Sequence, residues 1–304
     1  ETEAPARMHL ERVVKHVNVD RIRARKFRVG LDSVNGAGSV MSPGFLSETL
    51  GCELHAISID PTKPFPRVAE PRPDTLGDLA ELVRSKQCDI AFGQDPDGDR
   101  LAVVDEHGNV LDNDDVLALA VMIALERRPG NVVVNLTTSS VIDDVVTARG
   151  GKVYRTPVGE ANVVDVMQAV NAVIGGEGSN GGIIFPAVHL CRDSYTGMAF
   201  LLDRMAETGL TMSQLAAQLP RYWRRLGKTG FEHGRLGPLM QALEDRFPGA
   251  KLDCSDGLKL LLEDSWVHVR SSNTEPILRI AAEAKSEAGV DKLYGDVLSL
   301  LSVR

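Results

Sequence analysis

A chain of 304 residues with 43% apolar and 25% charged residues has the make-up of soluble globular protein, with material for two or three domains. Its formal charge of −8 argues against a general nucleic-acid binder, which would carry a basic face, but leaves room for a local arginine cluster that takes an anion. No apolar run approaches the roughly 18 residues of a membrane span, so no membrane partner is expected. The opening "ETEAPARMHLERVVKH" is polar, is not a signal peptide and lacks an initiator Met; a processed product or a piece of something longer is expected. Cys52, Cys88, Cys191 and Cys254 form no CxxC pair, which argues against a zinc site and for reduced thiols in a cytoplasmic protein.

In chain order, residues 7–25 read as helical, with Asp20 as an N-cap for the second part. "KFRVGLD" reads as a buried strand, followed by the Gly-rich turn "SVNGAGS" and a helix ending at Gly51. "CELHAISI" is a second strand, and "DPTKPFPRVAEPRP" is too rich in proline for regular structure. A helix over 75–86 precedes the strand "CDIAFGQ", and "RLAVVDEHGNVL" reads as a hairpin turning at 107–109. A helix over 114–127 leads to a second unit with the same beat: strand "NVVVNL", helix 139–149, strand "KVYRT", helix 160–169, strands "NAVIGGE" and "GGIIFP", and helix 194–207. After Trp223 the pattern becomes strand "KTGFEH", helix 236–246, three short strands and a helix over 287–302. The expected fold class is α/β: two successive α/β domains with mixed, mostly parallel sheets flanked by helices, plus a C-terminal α+β domain.

Three loops carry candidate chemistry. In "QDPDGDR", Asp95, Asp97 and Asp99 offer hard oxygen ligands of the kind Mg²⁺ or Ca²⁺ takes, and Pro96 and Gly98 let the backbone curl so that they converge. An EF-hand fails because its sixth position needs Gly and holds Arg100. A haloacid-dehalogenase-like phosphatase lacks its downstream partners here. The plain alternative is a solvated acidic turn. In "GGEGSNGG", five glycines present Glu177, Ser179 and Asn180 on a backbone that a ligand can approach; the alternative is a hairpin tip. In "RSSNTEPILR", Arg270, Ser272, Asn273, Thr274 and Arg279 give the guanidinium and hydroxyl donors that recognise phosphate; the alternative is a polar turn.

Together, in order and spacing, these loops resemble the α-D-phosphohexomutase family, which includes phosphoglucomutase, phosphomannomutase and phosphoglucosamine mutase. "DPDGDR" is similar to its metal loop, "GEGSNGG" to its sugar loop and "RSSNTEP" to its phosphate loop. "DSVNGAGS", "TPVGEANVV" and "DGLKLLLEDSWVHVR" agree with it as well. The resemblance implies a metal-loop domain over 1–125 with an N-terminal linker helix, a sugar-loop domain over 126–225 and a phosphate-binding domain over 226–304. It also exposes departures. The family's phosphoserine motif, of T-A-S-H-N-P type, has no counterpart here. Ser271 stands where Pro is usual and Pro157 where many members have Lys. The sugar loop is one residue longer than the "GEGNGG" form, so Ser179 or Asn180 is its second hydroxyl reader. The His that closes that loop in some members is absent, with His189 nearby as a weak candidate for proton transfer.

By resemblance, the activity is transfer of a phosphoryl group between the 1- and 6-positions of a hexose phosphate, through a phosphoserine and a bisphosphorylated sugar. Mg²⁺ on Asp95, Asp97 and Asp99 neutralises the phosphoserine, Arg100 contacts the same phosphate, and Glu177 with Ser179 or Asn180 grips sugar hydroxyls. Arg270, Ser272, Asn273, Thr274 and Arg279 anchor the phosphate that is not reacting. The chain is expected to be the remainder of such an enzyme, inactive by itself, with the serine domain supplied in cis. The competing expectation is a non-catalytic sugar-phosphate-binding module, or one complemented by a separate serine-bearing chain. The "GEG" loop leans toward phosphoglucosamine or phosphoglucomutase/phosphomannomutase members.

Overall fold

In the computed structural model, which describes residues 3–230, 236–272 and 276–302, the N-terminal segment is two helices, α1 (Glu3–Val14) and α2 (Val19–Arg25). The N-cap of α2 is Asn18, whose side chain accepts from the Arg21 N–H at 3.0 Å. The expected cap, Asp20, instead lies in the first turn, where its charge meets the positive end of the helix dipole.

Strands β1 (Arg28–Asp32), β2 (Glu53–Ile57), β3 (Ile90–Gln94) and β4 (Leu101–Asp105) form one sheet in the order β2-β1-β3-β4. β1 is parallel to both β2 and β3, and β4 is antiparallel to β3. β3 and β4 are buried along their whole length, which is why they read as unbroken apolar runs and not as alternating ones. Between β1 and β2, α3 (Gly38–Gly44) runs into a π-helical turn over Phe45–Thr49. Helix α4 (Gly77–Lys86) starts two residues after the expected Thr75, whose hydroxyl is taken up closing the preceding turn by accepting from the Arg72 N–H. The chain does turn at 107–109, with the Asp105 carboxylate accepting from the His107 and Asn109 N–H groups. Its returning arm, however, makes only an isolated bridge between Val104 and Val110. The full partner of β4 is β3, so the true hairpin is the one whose tip is the aspartate loop.

The second sheet has the order β6-β5-β7-β8, from β5 (Asn131–Asn135), β6 (Lys152–Thr156), β7 (Ile174–Glu177) and β8 (Gly182–Ile184). Against it pack α7 (Glu160–Ala169), on β5 and β7, and α8 (Ser194–Thr208), on β8; α6 (Val141–Thr147) follows β5, and α9 (Met212–Ala216) touches α8. Helix α5 (Asn113–Arg127) is buried at nearly every residue to Leu125. It touches β4 of the first sheet, β7 of the second, and α6 and α8, so no face is left to be polar. The chain up to Tyr154 with Gly159–Pro220 is one compact unit holding both sheets; Arg155–Val158 with the chain from Arg221 is another.

The second unit is an antiparallel sheet in the order β10-β11-β12-β13-β9. Its strands are β9 (Trp223–Gly230), β10 (Lys251–Asp253), β11 (Leu258–Leu261), β12 (Ser265–Ser271) and β13 (Ile277–Ala284), with α10 (Leu236–Arg246) and α11 (Glu287–Ser302). Four strands, not three, separate the helices, and β9 begins before the expected "KTGFEH". Leu243, Val267, Val269, Leu278, Ile280, Val290 and Val297 form the core. Across the sheet Lys259 lies 3.9 Å from the Trp266 ring centre, and the Trp266 Nε1–H donates to Glu283 at 2.7 Å. No helix among the described residues is long and apolar enough to cross a membrane.

Candidate active site

The turn between β3 and β4 places one carboxylate oxygen from each of Asp95, Asp97 and Asp99 within 4.8 Å of the others. Burial is least in the middle of the loop: Asp95 is buried, Asp97 exposed and Asp99 half-buried. Burial, reinforced by the neighbouring Asp99 and Asp97 charges, pushes the Asp95 carboxyl up to about 7, against the pull of the Arg100 N–H. Burial and Asp97 also raise Asp99, against the attraction of Arg192. Asp99 Oδ1 is buried with no hydrogen-bond partner among the described residues. Three converging hard oxygens, with an orphaned carboxylate oxygen on Asp99 and with Asp95 and Asp99 raised by burial and by neighbouring carboxylates, fit a small divalent cation.

The loop is held from beneath. Gln94, fully buried, accepts from the Ser33 and Ser42 hydroxyls at 2.8 Å and donates to Ser194 Oγ, which in turn donates to the Gly98 carbonyl. The Ala37 N–H donates to the Pro96 carbonyl at 2.7 Å. A Cβ on Gly36 would stand 2.4 Å from that same carbonyl oxygen, so "VNGAGS" needs its first glycine to let the aspartate loop approach. The proline-rich segment is fixed by side chains in place of backbone ladders. Arg67 pairs with Asp32 at 2.7 Å and donates to the Gln94 carbonyl, and Glu70 accepts from Arg100 at 2.9 Å.

The sugar-loop candidate lies against the aspartate loop in the same unit. The Leu101 N–H donates to the Gly181 carbonyl at 2.9 Å, and Arg100 bridges Gly182. Gly181 sits at φ +69, where an L side chain is strained. Glu177 is 2% exposed; its Oε1 accepts from Asn135 and from the Gly159 N–H, each at 2.8 Å. Ser179 and Asn180 are half-buried on a single 3₁₀ turn, and Ser179 Oγ lies 3.3 Å from Thr137 Oγ1.

Arg192 joins the two loops and was not singled out from the sequence. Its guanidinium lies 2.6 Å from Asp99, 3.1 Å from Glu160 and 3.6 Å from Glu177. It is one arginine in "AVHLCRD", and only the approach of β8 to the aspartate loop reveals its partners. Arg100 pairs with Asp95 at 3.3 Å as well as with Glu70. His189 is placed elsewhere: its Nε2 lies 3.8 Å from Asp193 Oδ2, and its ring meets His9 edge-on.

In the second unit, Arg270 stands directly opposite Arg279 across β12 and β13, and Arg279 directly opposite Lys228 across β13 and β9. Three cations thus share one row on one face. Like charges so placed repel, and among the described residues the carboxylate facing the row is Asp256, 3.8 Å from Arg270. Such a row is a ready anion site. Lys228 could have been found in "KTGFEH" only with the strand register in hand. Ser272 is 5% exposed, its N–H donating to the Ile277 carbonyl at 2.9 Å. Asn273 and Thr274 lie outside the described residues.

Three family models match in succession: phosphoglucomutase/phosphomannomutase α/β/α domain II over residues 7–108, α/β/α domain III over 112–222 and the C-terminal domain over 234–299. A protein of Methanopyrus kandleri named "Probable phosphoglucosamine mutase" is 36% identical, the alignment covering 98% of this chain and 66% of that protein. A "Phosphoglucomutase/phosphomannomutase" of Thermococcus kodakarensis is 36% identical over 92% of this chain and 61% of its own length. A crystal structure of a phosphoglucomutase/phosphomannomutase family protein from Burkholderia thailandensis superposes with a TM-score of 0.85 at 26% identity, covering 97% of this chain and 64% of that one. The chain therefore spans about two thirds of the length of the proteins it matches. With all three successive models and these relatives in agreement, the chain belongs to the α-D-phosphohexomutase family, the phosphoglucomutases and phosphomannomutases.

Proposed function

We propose that this chain supplies the metal, sugar and phosphate loops of a phosphohexomutase that moves a phosphoryl group between the 1- and 6-positions of a hexose phosphate. The observation that carries this is the convergence of Asp95, Asp97 and Asp99 beside the Glu177 loop, with Arg192 between them. The aspartates hold Mg²⁺, which when bound neutralises charge on the transferring phosphoryl group. Arg100 leaves Glu70 to meet the same phosphate. Glu177 keeps Oε1 on Asn135 and Gly159 and offers Oε2 to one sugar hydroxyl, while Ser179 or Asn180 takes a second. Arg270, Arg279 and Lys228, with Ser272, Asn273 and Thr274, hold the non-reacting phosphate.

Residues 1–125, 126–225 and 226–304 are read as the metal, sugar and phosphate domains. Three separate sheets and three successive family matches support three domains, with the first join ahead of α5, between residues 108 and 112, and the second ahead of β9, after Pro220. The phosphoryl donor is a phosphoserine outside these residues, so the 304 residues by themselves bind but do not turn over. A reducing, cytoplasmic setting belongs to this reading and is supported by four free cysteines, two of them buried.

Calorimetric titration of the chain with glucose, mannose and glucosamine phosphates, then assay with a serine-bearing segment added, tests this. Binding of at least one sugar phosphate is expected, with turnover only after addition and only in Mg²⁺; no binding of any would sink the proposal. Binding with no turnover in any combination would favour a non-catalytic sugar-phosphate module. Mg²⁺ alone is expected to bind weakly, because three carboxylates leave most of an octahedral shell to water; a dissociation constant below about 1 μM would contradict this.

A further inference from the structure

A second cluster lies on the first unit apart from the aspartate loop. His9 of α1, His189 of the loop before α8 and Asp193, the N-cap of α8, each direct one ligand atom into a space where all three atoms are within 4.8 Å of one another. His9 Nε2 lies 3.1 Å from Asp193 Oδ1, and His189 Nε2 3.8 Å from Asp193 Oδ2. The two rings meet edge-on at 4.9 Å. A hydrogen bond to Asp193 accounts for His9. It does not account for His189, whose ring makes no hydrogen bond among the described residues and faces a carboxylate already accepting from the Tyr195 and Thr196 N–H groups and the Thr196 hydroxyl.

We propose that His9, His189 and Asp193 form a divalent transition-metal site of the Zn²⁺ type, distinct from the hard-oxygen aspartate loop. Two imidazoles and one carboxylate are the ligand set Zn²⁺ takes, with a water in the fourth position. The imidazole side chains are 24% and 32% exposed, so solvent reaches the cluster to supply that water. Tetrahedral ligands about 2.1 Å from the ion stand about 3.4 Å apart, close to the 3.1 and 3.8 Å that separate the imidazole nitrogens from the Asp193 carboxylate. Burial lowers His189 and keeps it in the neutral, ligating form. Burial of Asp193 is outweighed by His9, Thr196 and His189, which hold its carboxyl below the usual range and ionised. No cysteine takes part, so the spacing of the cysteines gave no sign of the site. The bound ion would tie α1 to the start of α8 across 184 positions of sequence.

The test titrates the full chain with Co²⁺ and displaces it with Zn²⁺. One equivalent of Co²⁺ with tetrahedral visible bands is expected, bleached by Zn²⁺ and not by excess Mg²⁺. H9Q and H189Q should each weaken Zn²⁺ binding at least tenfold, while D97N and C191S leave it unchanged. Equal binding by the H9Q/H189Q double variant, loss of binding with D97N or C191S, or no bound ion would each overturn the proposal. Histidine side-chain NMR of the unmutated protein guards against misfolded variants. Of the seven histidines, the ring nitrogens of His9 and His189 should shift on Zn²⁺ addition, and their failure to move would overturn it equally.

Discussion

Replacing Asp95 by Asn tests whether the aspartate loop is poised for a cation. In the metal-free protein the folded Asp95 carboxyl titrates at about 7, against 3.8 unperturbed, chiefly through burial. Between those pH values the folded state holds a proton that the unfolded state has released, so stability falls as pH rises through the window and the full penalty is present above pH 7. At about 1.4 kcal/mol per pH unit the penalty is about 4 kcal/mol. Asn removes it but turns an amide toward Arg100, now 3.3 Å from Asp95 Oδ2, at about 1–2 kcal/mol at every pH. D95N should therefore be less stable than wild type by about 1–2 kcal/mol at pH 4 and more stable by about 2 kcal/mol at pH 8. Urea denaturation in EDTA, followed by far-UV circular dichroism, reads this difference. Both tryptophans, Trp223 and Trp266, lie in the other unit, so their fluorescence transition should stay put and serves as an internal control. A difference of the same sign and size at both pH values would refute the reasoning.

Substitutions at four further positions probe the rest of the site. R192M strips the charge facing Asp99, Glu160 and Glu177 from a side chain only 15% exposed and should cost about 3–5 kcal/mol in urea denaturation; R192K, a point charge, should recover only part. G36A drives a Cβ to 2.4 Å from the Pro96 carbonyl, which is backbone and cannot swing aside. It should cost about 2 kcal/mol or more and weaken Mg²⁺ binding in the same preparation, whereas unchanged Mg²⁺ affinity would show that the loop does not depend on this contact. R279A and K228M should each weaken glucose 1-phosphate binding about tenfold by calorimetry, yet raise the melting temperature of the ligand-free protein slightly, because each relieves a like-charge pair.

The sequence by itself determined the elements and the loop chemistry. Burial and strand period are local, so "CDIAFGQ" and "LAVVD" were legible as strands and "DPDGDR" as the turn between them. Where local rules compete, the sequence reading missed. Asn18 and Asp20 are both good caps, and only the backbone conformation selects Asn18. The pairing of β4 with β3, in place of the chain after Asn109, also depends on which strand lies alongside. The tertiary structure alone decided the partners. Arg192 is an unremarked arginine until β8 brings it to Asp99 and Glu177, and Lys228 is one surface lysine until β9 sets it opposite Arg279. Ion pairs and cation rows join residues tens to hundreds of positions apart, and a one-residue change in register turns every side chain to the other face. No spacing along the chain carries that information.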